Sequence, residues 1–327
     1  RDFLGGNAIL RVNVALDPSG IVKFDNLRLA APQFKVLRGS GRYDPAGSLL
    51  LNADGYSNAY GPVFARVTGS LTAPLINLRA PRPGLGVGLA DLQARIRGQG
   101  DAYAVTATGG TNYGPFTADV LIRTGRAMTV DVRKARFAGT DITGKLTQTS
   151  AGPFAGALAF VGSGINGNVD LSAQGKFQQA VVRATATNAQ IPGDMEITIG
   201  RAVINGTMIL YDDAPAITGE AQVANLKSGE FVLGRARAKI DYRGGRGTAQ
   251  AFAEGSSGVP FRVAANARFA PDQWLVALGG KANNINFKTT QPARVAVDKA
   301  GYRLAPVQID FDRGSARLAG IRRLAPP

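Results

Sequence analysis

Arg235-Ala236-Arg237-Ala238-Lys239-Ile240-Asp241-Tyr242-Arg243 alternates apolar and charged side chains and runs straight into Gly244-Gly245. A period of two puts Ala236, Ala238, Ile240 and Tyr242 on one side of an extended chain and the charges on the other, which is the pattern of a half-wet β-strand. The glycine pair that follows is a turn signal.

The same grammar recurs in both directions from this segment. Leu10, Val12, Val14 and Leu16 alternate with Arg11, Asn13, Ala15 and Asp17, and Asp17-Pro18-Ser19-Gly20 closes the run as a turn. Tyr43-Asp44-Pro45-Ala46-Gly47 turns the chain again before Leu49 and Leu51. Met128, Val130 and Val132 stand opposite Thr129, Asp131 and Arg133, and Val307, Ile309 and Phe311 stand opposite Gln308, Asp310 and Asp312. Turn residues interrupt at intervals of about eight to twelve, so the reading predicts roughly 25 strands in succession. The best helical candidate is Leu89, Leu92 and Ile96, but Leu92, Ala94 and Ile96 also alternate with Gln93, Arg95 and Arg97 between Gly88 and Gly98, so a strand is expected there.

Short internal matches point to repeated units. Tyr60-Gly61-Pro62 with Phe64 resembles Tyr113-Gly114-Pro115-Phe116, and Leu89 to Phe116 resembles Leu233 to Phe261, with Ala94-Arg95-Ile96 matching Ala238-Lys239-Ile240. Stacked units of this kind bury their apolar faces only beside their neighbours.

Composition agrees. Of 327 residues 45% are hydrophobic and 19% charged, a folding composition, yet there are 42 Gly, one Trp and three Met, which suits short strands and tight turns more than packed helices. With no His and no Cys, nucleophilic triads, thiol redox chemistry, zinc sites built on those ligands and disulfides are excluded. The carboxylates Asp212 and Asp213 precede Pro215 and read as a turn, because adjacent residues of an extended chain point to opposite faces. Gly84, Gly86 and Gly88 mimic a phosphate loop but lack the following Lys-Ser/Thr and any βαβ setting. No catalytic, metal or cofactor site is expected, and no enzyme activity. The net charge of +15 comes from basic residues scattered along strands, without a basic run or helix, so nucleic acid is not expected as a partner. No stretch approaches the ~18 apolar residues of a membrane span. The start at Arg1, without Met, is read as that of a fragment whose targeting segment lies elsewhere.

A repetitive sheet with one dry face must cover it by closing as a sandwich or barrel, by filling itself as a solenoid, or by curling into a gutter occupied by something else. The dry face here is rich in Ala and Val and poor in aromatic plugs. We therefore expect one continuous module over 1–327, all-β, an elongated and repeat-built curled sheet with an apolar concave face and few or no helices. The candidate groove-lining residues are Val12, Val14, Leu16, Val130, Val132, Ile240, Val307, Ile309 and Phe311.

The segment Pro83 to Leu92, the Tyr-Gly-Pro turns, and the passage from Pro292-Ala293-Arg294-Val295 through Gly301-Tyr302-Arg303-Leu304 to Leu318-Ala319-Gly320 resemble the middle of a TamB protein, of the AsmA-like group and of alphaproteobacterial type. The resemblance implies a periplasmic β-sheet gutter in a protein anchored in the inner membrane. It also implies passage of phospholipid between the two membranes, and an outer-membrane partner of the TamA kind met through other parts of the chain. An alternative from a different class is an assembly scaffold that offers its sheet edges to outer-membrane clients by β-augmentation.

Overall fold

Alternation with period two leaves almost no segment able to bury a helical stripe, and strands result throughout. The computed structural model of the chain describes residues 6–58, 60–84, 86–193, 196–298 and 301–323, and among them there is no helix. The strand expected at Leu92 to Ile96 is present.

The chain divides into two units, Arg1–Thr147 and Gln148–Pro327. The first is built from β1 (Ile9–Leu16), β2 (Val22–Ala30), β3 (Phe34–Tyr43), β4 (Leu49–Ser57), β5 (Gly61–Gly69), β6 (Pro74–Ala80), β7 (Ala90–Gln99), β8 (Ala102–Thr111), β9 (Gly114–Arg123), β10 (Thr129–Phe137) and β11 (Thr140–Gln148). The second holds β12 (Phe154–Gly162), β13 (Ile165–Gln174), β14 (Phe177–Ile191), β15 (Ile197–Leu210), β16 (Ala216–Ser228), β17 (Phe231–Arg243) and β18 (Arg246–Ser257). It continues through β19 (Val259–Phe269), β20 (Gln273–Ala282), β21 (Ile285–Thr289), β22 (Ala293–Asp298), β23 (Gly301–Phe311) and β24 (Gly314–Arg323).

Each unit is an antiparallel meander in which every strand pairs with the one before and the one after. The exception is at β21 and β22, which share one place in the ladder between β20 and β23. Pro292, between them, has no N–H to donate, and the ladder breaks there. The turns follow from local chemistry. Asp17 accepts hydrogen bonds from the Ser19 and Ile21 amides at 2.9 and 3.1 Å, and Asp44 accepts one from the Ala46 amide at 2.9 Å, so each carboxylate closes its own turn.

Register carries one apolar face across each unit. In the first unit Ile76 stands opposite Val67 and Ile96, Val105 opposite Ile96 and Val120, and Val130 opposite Ile122 and Leu146. In the second, Val169, Val182, Gly206, Gly219, Ile240, Ala249, Ala267 and Val276 form one row across β13 to β20. The reverse face is polar, with Arg183, Asn205, Glu220, Lys239, Gln250 and Asn266 in the neighbouring row.

Long strands in the second unit bend at a row of residues outside the ladder pairs, across which β14, β15 and β16 keep their register. The pairs Thr187–Arg201 and Ala189–Ile199 leave Asn188 facing Gly200, and the pairs on either side of it leave Asn225 between Gly200 and Gly234. Asn188 and Asn225 take left-handed φ values of 48° and 55°, which Asn tolerates better than most side chains. The left-handed residue resets side-chain parity, so Ala186 and Ala189 reach the same face. There Ala186, Ala189 and Ala202 are buried against Ile165, Ile199 and Val223 in a small core at the bend.

The longer sequence match is also a structural one. Ala94 and Ile96 on β7 and Ala238 and Ile240 on β17 occupy the same apolar positions, a register shift precedes each, and Phe116 and Phe261 open the second strand onward on the same face. The shorter match is only partial. Tyr60 and Tyr113 both precede a strand, but Val63, not Phe64, is the counterpart of Phe116, and Phe64 lies on the polar face opposite Asp54 and Arg79.

Candidate functional site: an open apolar face

The nine residues singled out from alternation all lie on the apolar faces. Val12, Val14, Leu16, Val130 and Val132 are in the first unit, and Ile240, Val307, Ile309 and Phe311 in the second. Their coverage differs. Val307 is buried and Val130, Val132, Ile240 and Ile309 are half-buried, whereas Val14 and Leu16 on β1 are open to solvent.

The apolar face is incompletely covered. The chain exposes 20553 Å², whereas two separate compact bodies of half its mass would expose about 15,500 Å². Among the described residues no large side chain is fully buried, and the buried apolar residues are mostly Ala. Ile204 and Leu278 are 44% and 37% exposed although both stand on the apolar face. An isolated exposed Leu or Ile is ordinary, whereas these two stand among half-buried apolar neighbours in the same rows.

The second unit gives this face a relief that alternation does not reveal. Ala184, Ile204, Ala221, Ala238, Ala251 and Ala265 face one another in a row across β14 to β19, so four neighbouring strands from β16 to β19 place only a methyl group there. Larger side chains stand on either side. Along one side Tyr242, Phe269, Trp274 and Tyr302 form an unbroken chain of ring contacts, with centroids 5.7, 5.5 and 5.2 Å apart. Along the other, Phe231 stacks on Phe261 at 6.0 Å. A floor of methyl groups between ridges of rings and branched chains is a trough, and a trough of this chemistry accepts flexible hydrocarbon through dispersion and exclusion of water.

Charged groups lie elsewhere. Glu254 pairs with Arg235 at 3.0 Å and with Arg262 at 3.3 Å, and Asp170 pairs with Arg183 at 2.7 Å, all on the polar face. Asp212 and Asp213 sit in a bend, where Asp212 meets Lys176 at 2.7 Å. Asp312 accepts hydrogen bonds from the backbone and side-chain amides of Asn286, which hold its carboxyl below the usual range. Among the described residues no three His, Cys, Asp or Glu side chains converge as a metal site would require.

Sequence reasoning found the face but not the trough. Ile204, Leu278 and the alanine row became visible only once register set strands 14 to 19 side by side. No protein-family model, no curated protein and no solved structure matches the chain.

Proposed function

We propose that this chain is a non-catalytic module that conducts lipid, in which acyl chains lie along the apolar faces and headgroups remain at the rim. The observation that carries the reading is the open apolar face of each unit, above all the methyl-floored trough of the second. Each CH₂ withdrawn from water stabilises a bound chain by about 0.8 kcal/mol. A floor of repeated small side chains spreads that gain evenly, so a chain slides without meeting one deep trap. The resemblance to TamB proteins supports a periplasmic setting, phospholipid as the cargo, an inner-membrane anchor and a TamA-like partner, both reached through other parts of a longer protein.

The test is photocrosslinking in cells with a photoreactive residue at Ile204, on the apolar face, and at Asn205, its exposed neighbour on the polar face. Phospholipid adducts at Ile204 and not at Asn205 are expected. Equal labelling, or none at Ile204 in folded protein, overturns the proposal.

A further inference from the structure

The polar face of the first unit carries an uncompensated cluster of guanidinium groups. Strands β5 to β8 hold four arginines, Arg66, Arg79, Arg95 and Arg97, and a single acid, Asp91 at the start of β7. Register brings three of the arginines together. Arg66 and Arg95 flank Asn77 in one row, and Arg79 lies two residues further along the same strand as Asn77. Sheet spacing places the Arg66 and Arg95 Cβ atoms about 10 Å apart, with Arg79 about 7–8 Å from each, so three long side chains can converge on one anion. None of the three is in an ion pair among the described residues. The acids nearest in the sheet are engaged elsewhere, Asp54 with Arg38 at 3.0 Å and Asp119 with Arg133 at 3.9 Å. In the second unit, by contrast, Arg183, Arg235 and Arg262 of the polar face are each paired with an acid, Asp170 or Glu254.

Around the cluster the face forms a groove of about 570 Å³. Besides the arginines it is lined by Gln93, Thr106 and Thr108, which supply amide and hydroxyl groups, by Phe64, which is 42% exposed, and at one end by Asp54, whose carboxylate is held by Arg38. We propose that this groove binds a phosphorylated saccharide. The guanidinium fork matches phosphate oxygens, the amides and hydroxyls can both donate to and accept from sugar hydroxyls, and an exposed ring offers the C–H face of a sugar an apolar platform. Because the groove is built on the polar face of the first unit and shares no residue with the trough of the second, this inference stands or falls independently of the lipid reading.

The test is calorimetric titration of the full 327-residue chain with glucose 1,6-bisphosphate, with inorganic phosphate and glucose titrated separately. The bisphosphate is expected to bind at least about tenfold more tightly than either. Arg79→Gln is expected to weaken it by about tenfold, the scale of one lost charge-assisted hydrogen bond, while Arg313→Gln, in a turn of the second unit, leaves it unchanged. All three side chains of the cluster are exposed, and an unchanged circular dichroism spectrum confirms that the variant is folded. No binding, equal affinity for inorganic phosphate, indifference to Arg79→Gln, or Arg79-dependent binding to sugar-free anionic vesicles of equal strength would each overturn the proposal.

Discussion

Tyr242 on β17 and Phe269 on β19 meet edge to face, ring centroids 5.7 Å apart at 81°, although β18 runs between their strands. They reach each other because both stand opposite Gly247. Glycine there leaves the strand bare, and the rings close over it, as Phe34 closes over Gly55 and Phe287 over Gly280. A side chain at Gly247 would also collide with the Asp241 carbonyl. Gly247→Val should therefore destabilise the second unit by about 1–3 kcal/mol, the cost of overpacking. A thermal melt followed through Trp274 fluorescence reads it, because Trp274 touches Phe269 in the same chain of rings. An unshifted melt would show that the ring contact is incidental.

The bend in the long strands depends on Asn188 and Asn225 holding left-handed backbone. Valine at either position should cost about 1–3 kcal/mol, whereas glycine should be tolerated to within about 0.5 kcal/mol, because only the former meets the steric barrier. If valine and glycine variants melt alike, backbone conformation is not what limits the bend.

Ile204→Asp and Asn205→Asp place the same charge on opposite faces of one strand. Both positions are exposed, so neither should change stability by more than about 0.5 kcal/mol. Lipid recovered with the purified protein should fall sharply for Ile204→Asp and stay level for Asn205→Asp. A parallel loss in both would mean that the lipid is held by charge and not by the trough.

Acidification should loosen the pairing of β21 with the end of β23. The Asn286 amides donate to Asp312 and favour its ionised form, so its folded pKa lies below the ordinary carboxylate value. The stabilisation is complete above an unfolded pKa of about 4 and is lost as pH falls through the folded value. Asp312→Asn should accordingly melt below the unaltered protein at pH 7, by a gap that has narrowed at pH 3. A gap that stays constant between those pH values would refute the linkage.

Much of the architecture was legible because strands report themselves locally. Ala236, Ala238, Ile240 and Tyr242 declare their shared face by spacing alone, and Asp17 and Asp44 declare turns because their carboxylates bond their own following amides. Where an extra residue enters, the pattern misleads. Phe64 matches Phe116 by eye and lies on the opposite face, because one more residue separates it from the preceding turn. Met128, Val130 and Val132 alternate as read, but a register shift between Val132 and Ala135 then resets the parity of β10.

By itself the sequence determined that this protein is made of strands with one dry and one wet side, that it has no His or Cys chemistry, and where most turns fall. Those properties depend on neighbours along the chain, within reach of a two-residue period or a single Asp side chain. Only the tertiary structure decided which residues stand side by side across strands. The alanine floor, the ring contacts over Gly247 and the grouping of Arg66, Arg79 and Arg95 join residues on different strands, and a shift of one residue in any ladder would send each of them to the other face.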